Sequence, residues 1–292
     1  MLLVLILIFL VAGNNMATAV GTLVGSNIAN KRVAKIIGIA GFSAGLIISG
    51  SIMLKTARVI FNYNSEIIAY LLIGAIIIFI IAQATRVPLS LTMALVGISI
   101  GLMIRYGRYY ELSTFSKIVF MWFLAPIFAL SLSFILVKIY SRIKFNNIWK
   151  KSESMRILIF IFSFASAYTL GENTMGLILS IYGFNILSLI LSVISIALGS
   201  LFLSDGVLKR IGQEIFSMNY SSAMISIATS TVLVELASLF SIPLSNSQAI
   251  TFSILGVAFS NRIRFLIYKP IIRIISIWII SPLMGIGLGL LI

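Results

Sequence analysis

The sequence contains no cysteine and no histidine. Disulfides, thiol chemistry, haem ligation by histidine and histidine proton relays are therefore excluded. Acidic side chains are scarce as well, with 7 Asp and Glu in 292 residues. All charged residues together make up 10% of the chain, against about 25% in soluble domains. No carboxylate pair falls within one apolar segment, so an integral membrane enzyme would lack its acid–base or metal chemistry. No basic region precedes the first apolar stretch, since the first basic residue is Lys31. Residues 2–12 therefore read as the first half of a retained helix rather than as a signal peptide.

What is abundant is apolar. Hydrophobic residues make up 60% of the chain, and the mean hydropathy is +1.16. Apolar stretches approach the ~20 residues that a spanning helix needs. They do not alternate with polar residues as membrane β-strands do. The expected fold class is an all-α membrane protein. Ten segments are drawn at about residues 2–26, 36–53, 66–85, 88–104 and 116–138, then 156–180, 184–204, 220–240, 243–260 and 269–291. Residues 1–138 form a first transmembrane repeat, 139–155 a basic polar linker, and 156–292 a second repeat.

The repeat is carried by motifs. Pro88-Leu89-Ser90-Leu91-Thr92-Met93-Ala94 returns as Pro243-Leu244-Ser245-Asn246-Ser247-Gln248-Ala249, and Gly101 and Gly256 follow at equal distances. Lys117, Trp122 and Pro126 are answered by Arg273, Trp278 and Pro282, of which the basic residues and tryptophans read as interfacial anchors. Gly13-Asn14-Asn15 is echoed by Gly171-Glu172-Asn173-Thr174. Five segments per half is an odd number, so the two copies insert in opposite directions. An inverted-topology repeat is a common build of secondary transporters.

The net charge of +14 reads as the positive-inside bias rather than as a nucleic-acid surface. With the linker in the cytoplasm, the inner loops hold Lys31, Arg32, Lys35, Arg86, Lys138, Arg142, Lys144, Lys150, Lys151, Arg156, Lys209, Arg210, Arg262, Arg264 and Lys269. The outer loops hold only Lys55, Arg58, Arg105, Arg108 and Lys117. Both termini are thus expected outside the cell membrane.

The polar clusters predict the chemistry. A proline ends one helix, and the following Ser90 or Ser245 caps the next. A helix that starts inside the bilayer presents free N–H groups and the positive end of its dipole, which suits an anion. Two such starts near the midplane would surround an oxyanion with donors. Gly13 beside two asparagines predicts a helix break whose carbonyls could ligate Na⁺. Glu172 and Glu235 are the acids inside apolar segments. Glu172 is the candidate cation ligand or proton carrier. Gly285, Gly287 and Gly289 allow close helix packing and are compatible with a homodimer.

The order of these parts resembles the inorganic phosphate transporter (PiT) family of sodium- or proton-coupled anion permeases. That family carries G-A-N-D-V-A-N-A followed by G-T-x-V-G-S, matched by Ala12-Gly13-Asn14-Asn15-Met16-Ala17-Thr18-Ala19 and Gly21-Thr22-Leu23-Val24-Gly25-Ser26. Its later P-V-S-T-T-H-A matches both proline motifs. The resemblance covers essentially the whole chain. It departs at the motif aspartates, replaced by Asn15 and Thr174, and at the histidine, replaced by Met93 and Gln248. In the family those aspartates help to bind the coupling cation and to shape the phosphate site.

Residues and resemblance together imply a secondary active symporter of inorganic phosphate, coupled to Na⁺ and working by alternating access. Its substrate would meet Asn14, Asn15, Ser90, Thr92, Asn173, Thr174, Ser245, Asn246 and Ser247. Its cation would meet Asn14, Asn15, Thr22, Glu172, Asn173 and Gln248, with no other metal or cofactor. The partners are the oxyanion, Na⁺ or H⁺, and the lipid bilayer. The alternatives are a permease for sulfate or another oxyanion, H⁺-coupled through Glu172, and a passive anion channel.

Overall fold

Backbone in hydrocarbon must satisfy its own hydrogen bonds, and helices follow the apolar segments for that reason. A computed structural model describes residues 1–85, 89–107, 112–143, 147–208, 219–261 and 268–292, and these are helical throughout apart from their connections. The first half runs α1 (Leu2–Gly25), α2 (Lys31–Ser49), a 3₁₀ turn, a short α3 (Leu54–Ile60), α4 (Ser65–Thr85), α5 (Leu91–Tyr106) and α6 (Leu112–Ser141). The second half runs α7 (Ile148–Leu170), a π turn (Gly171–Met175), α8 (Gly176–Leu179), α9 (Ile186–Leu203), α10 (Tyr220–Leu239), α11 (Asn246–Ser260) and α12 (Tyr268–Leu291). Asparagines begin five of these helices, Asn64 among them, whose Oδ1 accepts the Ile67 N–H at 2.9 Å at the start of α4. Asn30, Asn147, Asn185 and Asn219 each accept a backbone N–H from the first turn, which satisfies donors a helix start leaves free.

Among the described residues, seven helical stretches are long and apolar enough to span a membrane. The protein is a multi-pass membrane protein. At 16 and 15 residues, α5 and α11 reach only about 24 Å and 22 Å at 1.5 Å per residue. Both fall short of the ~30 Å hydrocarbon core. The linker expected at 139–155 is mostly helical, because α6 continues to Ser141 and α7 starts at Ile148. Arg86, Pro88, Arg108, Lys144, Lys209, Arg210, Arg262 and Arg264 lie outside the described residues.

The halves pack crosswise. The most extensive contacts join α5 to α12 and α11 to α6, followed by α1 with α9 and α2 with α7. These pairs exchange if first-half elements are swapped for their second-half counterparts. Small residues set the approach. A Cβ on Gly101 would stand 2.3 Å from the Ile286 carbonyl oxygen, and one on Gly256 would stand 2.2 Å from that of Leu130. Phe120, Phe123, Ile127 and Phe128 on α6 and Ile190, Ile194 and Phe202 on α9 point outward, toward acyl chains in a bilayer.

Two expectations are corrected here. Helix α1 passes through Gly13-Asn14-Asn15 without a break. Gly13 serves packing instead, since a Cβ there would meet the Leu203 Cβ at 2.4 Å. Trp122 and Trp278 are not interfacial anchors but buried, and the Trp278 ring lies 5.8 Å from that of Phe252. Gly285 and Gly289 are closed onto α5 of the same chain, while Gly287 has open space beside it.

Candidate functional site

The repeated proline motif builds two nearly identical helix starts. Ser90 caps α5 with φ −84° and ψ 108°, and its side chain accepts the Met93 N–H. Ser245 caps α11 with φ −81° and ψ 107°, and accepts the Gln248 N–H. Each capping hydroxyl also lies 3.0 Å from a second one, Thr92 in the first copy and Ser247 in the second. The first two N–H groups of either helix have no intrahelical acceptor, as at any helix start. The dipoles of both helices place positive ends at these positions.

The two starts face one small cavity, lined by Asn15, Thr18, Leu89, Ser90, Leu91, Thr92, Leu170, Thr174, Leu244, Ser245, Asn246 and Ser247. Every polar side chain in this lining is neutral. The cavity offers hydroxyl, amide and backbone donors without a fixed positive charge. Such a site can hold an anion and still release it.

Seven of the nine residues expected to meet the substrate therefore line one cavity: Asn15, Ser90, Thr92, Thr174, Ser245, Asn246 and Ser247. Asn14 and Asn173 stand behind it. Asn14 Oδ1 accepts the Leu89 N–H at 2.9 Å and its amide donates to Gln83 at 3.4 Å. Gln83 in turn donates to the Leu203 carbonyl at 2.6 Å. Asn173 donates to Ser238 Oγ at 2.8 Å and to the Ile242 carbonyl at 3.2 Å. Gln83 and Ser238 are equivalent positions of the repeat. Both asparagines thus brace the connection that leads into a capping serine.

The residues expected to meet the cation are more scattered. Asn15 lines the cavity. Thr22 Oγ1 lies 3.3 Å from Ser163 Oγ. Gln248 is buried with Oε1 unpartnered among the described residues. Glu172 lies in the π turn, fully buried, with no hydrogen-bond partner for either oxygen among the described residues. Its neighbours include Glu235 and Ser238. A π turn inside a helix is rare and marks functional positions often enough to be informative.

Thr18 lines the cavity without having been expected to. Its hydroxyl donates to the Asn15 carbonyl at 2.8 Å. The available signal was its place three residues after Asn15, on the same face of α1.

Comparison with known proteins follows the same lines. The phosphate transporter family matches residues 11–170 and 159–289. A candidate phosphate permease of Methanocaldococcus jannaschii is 26% identical over 98% of this chain and 93% of its own length. The sulfate permease CysP of Bacillus subtilis is 24% identical over 96% of this chain and 82% of its own. A solved structure described as the sodium-dependent phosphate transporter superposes with a TM-score of 0.85 at 17% identity, covering 99% of this chain and 96% of that one. It shares the fold.

Proposed function

Because the chain belongs to the phosphate transporter family, we propose that it is a symporter carrying inorganic phosphate across the cell membrane, coupled to Na⁺ and working by alternating access. The observation that carries this reading is the cavity between the two capped helix starts. A tetrahedral oxyanion there would receive N–H and O–H donors from both halves, chiefly from Ser90, Thr92, Ser245 and Ser247. Asn15, Thr174 and Asn246 complete its surroundings. Asn14 and Asn173 position the two starts.

Na⁺ is the first coupling ion to test, because the structural neighbour is described as sodium-dependent. Its oxygen ligands would come from Asn15, Thr22, Glu172, Asn173 and Gln248. Alternating access would be a rocking of the crosswise-packed halves about the cavity, with both termini outside. Sulfate is the rival substrate, favoured by the replacement of both motif aspartates and by one relative's name.

The test is labelled phosphate uptake into proteoliposomes with an inward Na⁺ gradient, an inward H⁺ gradient or neither, each with and without excess sulfate. Concentrative Na⁺-dependent uptake that withstands sulfate is the expected result. Uptake driven by H⁺ alone replaces the coupling ion. Flux independent of both gradients makes the protein a passive pathway.

A further inference from the structure

Two amide side chains line the cavity, Asn15 and Asn246, and of their acceptor oxygens that of Asn246 is the one both buried and unpartnered among the described residues. Asn246 is buried and lines the cavity. Its amide nitrogen faces the Thr18 carbonyl oxygen at 3.4 Å and Ser166 Oγ at 3.5 Å. A carbonyl can only accept, so the side chain's orientation is fixed by chemistry rather than by choice of label. That leaves Oδ1 outside both contacts. It has no hydrogen-bond partner among the described residues. An orphaned buried acceptor is costly and calls for a donor. The hydroxyls of Ser90, Thr92, Ser245 and Ser247 and the free N–H groups can all donate to a ligand. Asn246 Oδ1 can only receive a proton from one.

We infer that Asn246 Oδ1 accepts the O–H of a protonated oxyanion and so sets the specificity of the cavity. This rests on the oxyanion reading above and deepens it. Near neutral pH inorganic phosphate keeps at least one O–H, whereas sulfate keeps none. Bound phosphate would satisfy the orphaned acceptor, with its other oxygens taking donors from the helix starts. Bound sulfate would press a bare oxygen against an unpaired carbonyl. A site built to pair with a substrate's hydroxyl rejects analogues that lack it, because its own buried group is left unpaired. The equivalent first-half position is Leu91, which has no side-chain acceptor. At this pair of positions the acceptor therefore belongs to the second half alone.

The experiment is competition against labelled phosphate, in both binding to purified protein and uptake into proteoliposomes, by arsenate, sulfate and selenate. Arsenate is protonated like phosphate at neutral pH. Sulfate and selenate are fully deprotonated. Arsenate is expected to compete nearly as well as phosphate, and the other two at least about tenfold less well. Asn246→Ala should weaken phosphate and bring sulfate and phosphate to similar affinity. Asn246→Asp, an ionised acceptor, should keep or widen the gap. Equal competition by sulfate and arsenate in the parent overturns the assignment while leaving oxyanion transport standing. An Asn246→Ala protein with the parent's selectivity overturns it too. If the parent neither binds nor moves any of these anions, the oxyanion reading itself fails. Should the alanine variant not fold, the competition series on the parent decides alone.

Discussion

The two helix starts at the cavity share their backbone and differ in their side chains. Ser90 and Ser245 cap with dihedral angles that agree within 3°, and both pair with a hydroxyl two residues on at 3.0 Å. Beside them, Leu91 corresponds to Asn246 in the repeat, Met93 to Gln248, and Gln83 to Ser238. Gly13 and the π turn carrying Glu172 differ as well. What is common to both halves is the presentation of N–H and O–H donors. What is particular to the second half is a set of amide and carboxylate acceptors that are buried and unpartnered among the described residues: Asn246 Oδ1, Gln248 Oε1, Asn173 Oδ1 and the Glu172 carboxylate. A symmetric frame thus supplies anion binding, and its asymmetric dressing supplies groups that seek a proton or a cation.

The harshest way to break the symmetry is at the crossings. Gly101→Val and Gly256→Val each drive a side chain into a facing backbone carbonyl. Overpacking of this kind costs about 1–3 kcal/mol or more. Both variants should lose the monodisperse peak in size-exclusion chromatography, and equally so if the two helix pairs are true counterparts. A well-behaved Gly256→Val protein would show that α11 is held less tightly than α5.

Next come the caps. Ser90→Ala and Ser245→Ala each remove a helix cap worth about 1 kcal/mol and a hydroxyl from the cavity. Phosphate uptake should fall at least about tenfold in either, the equivalent of 1.4 kcal/mol. If both proteins bind and transport like the parent, the anion does not sit where the two starts meet.

The bracing asparagines should respond unequally. Asn14→Ala strips the Leu89 N–H of its acceptor, and an unsatisfied buried donor costs about 1–3 kcal/mol. Asn173 gives only donor bonds, to a hydroxyl and a carbonyl, so Asn173→Ala should lower the melting temperature less. Thermal unfolding in one detergent ranks them, and a reversed order would make Asn173 the structural brace instead.

Glu172→Gln sharpens the second half's role in coupling. With Na⁺ as the ion, the variant should need more Na⁺ for half-maximal uptake while its phosphate affinity at saturating Na⁺ changes little. Unaltered Na⁺ dependence removes Glu172 from the cation's surroundings. The smallest effect belongs to Thr18→Val, which deletes one cavity hydroxyl and its bond to the Asn15 carbonyl. A net loss of about 0.5–1.5 kcal/mol would appear as a few-fold weaker phosphate affinity in equilibrium binding.

Much of this was legible beforehand. The ten apolar segments correspond to α1, α2, α4 to α7 and α9 to α12, most with shifts of a few residues, since a helix in hydrocarbon must be apolar; α7 departs furthest, running Ile148–Leu170 where 156–180 was drawn. The capping serines were legible because Pro-Leu-Ser recurs in register, and proline followed by a small hydroxyl has one local use at a helix start. Gly13 misled because a glycine's low helix propensity and its lack of a side chain point to different roles. Only the proximity of Leu203 shows that packing decides. Trp122 and Trp278 misled in the same way, for position along a helix does not tell which face the neighbours cover.

By itself, then, the sequence determined the solvent, the places of ten apolar helices and the serine-capped starts. Each of these follows from hydropathy or from contacts a few residues apart. Tertiary structure alone decided that the two starts share one cavity, that Asn14 and Asn173 stand behind it while Thr18 enters it, and that the orphaned acceptors gather in the second half. Those facts depend on contacts between residues as far apart as Thr18 and Asn246, which no local pattern of residues encodes.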